Sequence, residues 1–305
     1  MDDEDRTQRS LEPTAEQVAR EVLGRDVAKL LANDPIARRG IDPEGVHQMR
    51  VASRHLRSEL RLLSPALRSK AIAPLRSELR WLTGSLGTAR DADVRAERSD
   101  ELLSLIRAPS SVAHALRQSD RVAHRRAYDA LGSVLGSKRY RTMVERLSRL
   151  AIDPPLTKLG VVPARGILTP GLRQMASHLD GLVAQLDPSP SAPALHGVRI
   201  AAKRLRYGAS VAGLFAGMEA DSAADALGEV QDLLGEGRDA AMSIDRLHRL
   251  GLEDAAFGPA SDEGLKVAAM VEIEQARIRE TEECWPAAYS RARAHLVVLK
   301  WLQSE

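Results

Sequence analysis

The segment HQMRVASRHLR at residues 47–57 has a counterpart, HGVRIAAKRLR, at 196–206, an offset of 149. A second pair, LGTARDADV at 86–94 and LGEGRDAAM at 234–242, repeats at an offset of 148. Two independent matches at nearly one offset make an internal repeat, and a repeat constrains the fold more than composition does. Two similar halves are therefore expected, each containing one copy of both segments.

At 100° per residue, His47, Arg50, Arg54, Arg57 and Arg61 fall within an arc of about 80° on a helical wheel. His196, Arg199, Lys203 and Arg206 occupy the same arc, with Ser210 in the fifth place. Roughly opposite runs an apolar stripe, Met49, Ala52, Leu56, Leu60 and Leu63 in one copy and Val198, Ala201, Leu205, Ala209 and Ala212 in the other. Each copy is thus predicted to be a helix with one face for a core and one face of stacked cations. Asp42 and Ser191 align as N-cap types, and Pro43 and Pro193 follow within the first turn.

The rest of the chain reads as all-α. Ala, Leu, Arg and Glu are good helix formers, aromatics are only 3%, and long β-branched runs are absent. A chain of 305 residues has ample length for a buried core. Residues 1–13 are expected to be a disordered acidic tail. Residues 14–302 divide into a half 14–151 and a half 170–302, joined by the Pro/Gly-rich linker 152–169. Thr14 with Gln17 has the pattern of a capping box. The first helix should end near Asn33 at a Pro/Gly loop. Further helices are expected near 66–87, 91–107, 111–136, 139–151, 170–186, 220–234, 238–250 and 262–302, the last with a break near Pro286.

The formal net charge of +2 conceals a basic region. Between Arg50 and Arg80 stand eight Lys or Arg and two acids, Glu59 and Glu78. Like charges one helical turn apart cost about 0.2–0.5 kcal/mol per pair. One such run is ordinarily a solvated face. Two runs in one register, each rooted in a His near its helix start, call for an external anion. Guanidinium forks and ammonium heads suit phosphate oxygens, and a ladder of them suits a long, repetitively charged ligand. DNA, RNA and inorganic polyphosphate all qualify. Scarce aromatics disfavour base stacking, and no helix-turn-helix or zinc-finger pattern appears, so nucleic acid is the weaker alternative.

No metal, cofactor or catalytic site is expected. His47 and His55 lie about 80° apart on the wheel, and there is no His-x-x-x-His, Cys cluster or Walker A string. Asp91 and Asp239 are read as helix caps or as partners of neighbouring Arg, in preference to a site of Asp91, Asp93 and Asp239 holding a metal over phosphate. The single Cys284 allows no intrachain disulfide and is expected to be inert or partly buried. GASVAGLFAGMEA is too short to span a membrane, and no apolar leader is seen, which points to the cytoplasm.

HQMRVASRHLRSELRLL with HGVRIAAKRLRYGASVA resembles the duplicated signature of the CHAD family, the conserved histidine α-helical domain. LRWLTGSLGTARDADV and QDLLGEGRDAAM resemble the segments that follow each signature there. The likeness runs from about residue 14 to about 302. It implies two pseudo-symmetric four-helix bundles round a basic channel that binds inorganic polyphosphate; the residues themselves point to non-catalytic binding in the cytoplasm, with polyphosphate granules, storage, regulation of a partner and sensing all open as its purpose. Carried over, the ligands would be His47, Arg50, Arg54 and Arg57, then His196, Arg199, Lys203 and Arg206. Arg61 extends the stripe, and Arg76, Arg80, Arg90, Lys138, Arg139 and Arg141 would add to the wall. Ala224 and Gly228 stand where the first half has Arg76 and Arg80, so a stronger N-terminal half is expected. The Glu-x-Glu-x-Lys mark of the triphosphatase domain fused to some CHAD proteins is not found.

Overall fold

The computed structural model describes residues 12–253 and 261–299. Among them stand nine α-helices and no strand: α1 Ala15–Arg39, α2 Pro43–Leu62, α3 Ser69–Leu105, α4 Ser110–Gly136, α5 Lys138–Ile152, α6 Ala164–Ala184, α7 Ala192–Ala216, α8 Met218–Glu253 and α9 Asp262–Val298. A short 3₁₀ turn, Lys158–Val161, separates α5 from α6.

Local chemistry sets the starts that matter. The Thr14 side chain accepts from the Gln17 N–H while Gln17 accepts from the Thr14 N–H, completing the capping box. Asp42 accepts from the Glu44 N–H, and Ser191 from the Ala194 N–H, so α2 and α7 are capped in the same manner. Both apolar stripes are buried. Met49, Ala52, Leu56, Leu60 and Leu63 are wholly covered, and Val198, Ala201, Leu205, Ala209 and Ala212 nearly so.

Several expected breaks are absent. α3 and α8 each run unbroken where two helices were expected, so Asp91 and Asp239 lie mid-helix and cap nothing. α1 continues through Pro35 to Arg39, where Ala37 is buried and Gly40, at φ 63°, ends the helix. The Asn33 amide donates to the Lys29 carbonyl within that turn. α9 passes Pro286 without interruption. α6 begins at Ala164, inside the segment read as linker, because Ala164 and Leu168 pack into the first-half core. The remainder of that segment is pinned: the Arg68 N–H donates to Pro155 O, Thr157 N–H to Ala66 O and Ala164 N–H to Pro13 O. The expected tail lies, in its residues 1–11, outside the described residues, as do 300–302 of the last expected helix.

Three apolar clusters organise the helices. The first joins α1, α2, the N-terminal half of α3, the end of α4, α5 and the start of α6, and takes in Val211 and Ala212 of α7 and Ala220 of α8. The second joins the end of α6 with α7, α8 and the C-terminal half of α9. The third closes the far ends of α3 and α8 against α4 and α9. Ion pairs reinforce that third junction. Arg98 of α3 donates to Glu236 and Glu274, and Arg246 of α8 lies 2.7 Å from Asp120 of α4. The first two clusters leave α2 and α7 adjacent between them, with their polar faces turned away from both cores.

Candidate functional site

The two cationic stripes meet in the space between α2 and α7. Arg50 and Arg199, one from each half, are close enough to repel, and Arg54 feels Arg50, Arg57 and Arg199 together. Arg57 is opposed by Arg80 and Arg76 of α3 and by Arg204 of α7. Stripes that lie on separate helices in the sequence thus form one crowded wall.

Glycines let the guanidiniums lie flat. A Cβ built on Gly87 would stand 2.7 Å from Arg50 Nη1, and one on Gly235 would stand 3.2 Å from Arg199 Nε and Nη2. These pairs correspond through the repeat, as do the carboxylates behind them. Arg50 Nη1 is 3.6 Å from Asp91, and Asp239 attracts Arg199. Arg199 Nε also donates to the Gln231 carbonyl at 3.3 Å. Where the first half carries Arg80, the second has Gly228, and Arg206 folds over it with Cζ 3.2 Å from a built Cβ.

The electrostatic strain is concentrated on Arg54. Burial, followed by repulsion from Arg50, Arg199 and Arg57, brings its pKa down to about 10, opposed only by Tyr207. Burial likewise lowers Arg57 and Arg199. Among the described residues no carboxylate lies in ion-pair range of Arg54 or Arg57. A phosphate oxygen entering here would relieve the repulsion and regain the hydrogen bonds that burial removes.

His47 sits at the start of the wall. Burial lowers its pKa; Glu44 opposes this, while Arg90, Lys29 and Arg50 reinforce it. Arg90 is half-buried and holds Glu97 at 3.0 Å. His196 and Arg61 are exposed, and Lys203 is half-buried, on the continuation of their stripes. The α5 cations stand apart. Arg139 bonds Glu78 at 2.6 Å and covers the Trp81 ring at 4.1 Å, while Lys138 and Arg141 are exposed on a helix that packs chiefly on α1, α3 and α4.

Three contributors were not foreseen. Lys29 reaches His47 from α1. Arg204 opposes Arg57 from α7. Tyr207, half-buried, lies among Arg54, Arg206, Arg50 and Arg199. Its place one residue after the stripe was the sole sequence signal. His55 turns toward Asp26 at 3.4 Å and packs edge-on against Tyr207. Asp93 accepts from the Tyr128 hydroxyl, and Cys284 is exposed rather than partly buried.

The family model of the CHAD domain matches residues 21–248, which spans both stripes and both glycine seats. The chain belongs to the CHAD family. Two solved structures share the fold. PptA from Streptomyces chartreusis superposes with a TM-score of 0.69 at 18% identity, covering 91% of this chain and 99% of that one. The CHAD domain from the plant Ricinus communis gives 0.68 at 22% identity, with 93% of both chains covered. No curated protein matches the sequence. Among the described residues of this CHAD chain, no helix is long and apolar enough to cross a membrane. Its site sets guanidinium, ammonium, imidazole and phenol donors side by side, groups whose hydrogen bonds suit phosphate oxygens.

Proposed function

We propose that this CHAD chain binds inorganic polyphosphate, without catalysis, in the cationic space between α2 and α7. The observation that carries this reading is Arg54: half-buried, pressed by three other guanidiniums, and without a carboxylate in range. A protein keeps such a group where an anion completes it. His47, Arg50, Arg54 and Arg57 supply one side, and His196, Arg199, Lys203 and Arg206 the other. Arg61, Arg76, Arg80 and Arg90 extend the first side, which makes that half the stronger. Glycine seats at 87 and 235 bring the backbone close to the ligand's path, as a thin chain permits and a duplex does not.

Binding follows from charge neutralisation and counterion release, so no covalent step is involved. A single exposed thiol, Cys284, accords with a reducing cytoplasm, where polyphosphate granules would be the natural target. Competition decides the substrate class. Labelled long-chain polyphosphate is bound to the protein and challenged with unlabelled polyphosphate, duplex DNA or RNA at equal phosphate concentration. Displacement by polyphosphate alone is expected; equal displacement by nucleic acid would establish the other reading. Release of inorganic phosphate with Mg²⁺ present would contradict the non-catalytic assignment.

A further inference from the structure

Behind the cationic face of α2, three metal-ligating side chains converge in the core: Asp26 of α1, with His55 and Glu59 of α2. Asp26 and Glu59 are only 1% and 2% exposed. One ligand atom from each of the three lies within 4.8 Å of the other two. His55 and Glu59 are one turn apart on the same face, the spacing by which helices present paired metal ligands. Asp26 enters from the facing helix.

Two details favour a bound cation over a closed salt bridge. The first is the distribution of charge. Arg25 uses a single nitrogen, Nη2, for both acids, 3.1 Å from Asp26 Oδ2 and 3.2 Å from Glu59 Oε1, and its side chain is 46% exposed. One half-solvated charge therefore faces two buried carboxyl groups, and burial with Asp26 beside it holds Glu59 well above the ordinary carboxylate range. Glu59 Oε2 is buried and receives no hydrogen bond from a nitrogen or hydroxyl donor. The second is a distance. His55 Nδ1 stands 3.4 Å from Asp26 Oδ2. That is long for an N–H···O bond. It matches the edge of a tetrahedron whose metal–ligand bonds are about 2.1 Å, an edge of about 3.4 Å.

We propose that Asp26, His55 and Glu59 bind one divalent transition-metal ion of the zinc class. The donor set, one imidazole nitrogen and two carboxylate oxygens, suits Zn²⁺ and its neighbours better than Mg²⁺ or Ca²⁺, which prefer all-oxygen cages. Two carboxylates neutralise the ion, and Arg25 then serves as an outer hydrogen-bond partner that fixes their orientation. The ion reaches the phosphate wall through one contact, the edge-on packing of His55 on Tyr207, with ring centroids 4.4 Å apart. Coordination of His55 and Glu59 locks the turn of α2 that carries Arg54 and Arg57. The site does not depend on the polyphosphate reading and stands or falls separately from it.

The test uses the full chain, stripped with chelator and then titrated with ZnCl₂ by calorimetry. Zinc retained after desalting is counted by mass spectrometry, and thermal melts are recorded with and without the metal. Wild type is compared with Glu59→Gln and His55→Gln. The expected result is stoichiometric zinc and a raised melting temperature in wild type, with affinity at least about tenfold weaker in both variants. His55→Gln, at a half-buried side chain, keeps the test decisive should Glu59→Gln fail to fold. No retained zinc in wild type overturns the proposal, above all if Glu59→Gln melts at or above wild type, since a proton then neutralises the acid pair. Equal retention in wild type and both variants overturns it too, by placing the ion elsewhere.

Discussion

Arg50 lies on Gly87 so closely that a methyl group there would stand 2.7 Å from its Nη1, and Arg199 meets Gly235 in the corresponding way. Glycine inside a helix costs about 1 kcal/mol relative to alanine, so its presence mid-helix requires a reason, and the guanidinium supplies one. Gly87→Ala is expected to displace Arg50 and weaken polyphosphate binding several-fold, with little gain in stability. Gly84→Ala is the control on the same helix, because nothing lies within 4 Å of its Cβ. It should raise stability by about 0.5–1 kcal/mol and leave affinity unchanged. Denaturation and calorimetry of the two variants separate these outcomes.

Arg54→Met should stabilise the free protein and impair binding together. The methionine keeps the aliphatic volume while removing a charge that burial and three neighbours disfavour. A gain of about 1 kcal/mol in denaturant unfolding is expected, since replacing strained buried charge by apolar packing commonly stabilises. Polyphosphate affinity should fall about tenfold, the loss of one charge-assisted contact. An unstable Arg54→Met would mean that the wall is satisfied without an anion.

Acidification should act through His47 with opposite signs in the free and bound protein. Its pKa in the folded chain lies below the ordinary 6.5, chiefly through burial. Below pH 6.5 the unfolded chain takes the proton first, so His47 withdraws stability from the free protein as pH falls. Bound phosphate favours the imidazolium and reverses this. Binding should therefore take up protons below pH 6.5, which calorimetry in buffers of different ionisation enthalpy measures directly. His47→Gln should reduce that uptake.

Glu274 is wholly buried and receives Arg98 from across the molecule at 2.6 Å. Glu274→Ala removes the buried partner of that guanidinium, leaving it only the more exposed Glu236, and should cost up to about 3–5 kcal/mol in unfolding free energy. This junction borders the wall through Asp239, which feels both Arg98 and Arg199, but supplies none of its cations, so the salt dependence of polyphosphate binding should persist in whatever fraction remains folded.

Much of the fold was legible because it is written in periodicity. The buried stripes of α2 and α7, their caps at Asp42 and Ser191, and the register of Arg50 with Arg199 all follow from 3.6-residue spacing and local hydrogen bonding. Breaks were misread where glycine and proline usually punctuate. Gly87 and Gly235 stay helical because a guanidinium packs on them, and the turn after Pro35 stays helical because Ala37 is buried. Such contacts come from distant segments and leave no local mark. Tyr207 and Lys29 were missed for the same reason. His55 and Glu59 stand one turn apart in the sequence, but only His and Cys spacings were weighed there, and Asp26 joins them only when α1 lies against α2.

The most direct test is calorimetric titration with long-chain polyphosphate of wild type and a variant with Arg50, Arg54, Arg199 and Lys203 all changed to alanine, at two salt concentrations. If both halves build one ladder, wild type binds tightly, and log K falls by about 0.7–0.9 per decade of salt for each phosphate neutralised. Both the affinity and that slope should collapse in the variant. Binding of equal strength and slope in the variant would contradict a phosphate ladder between α2 and α7.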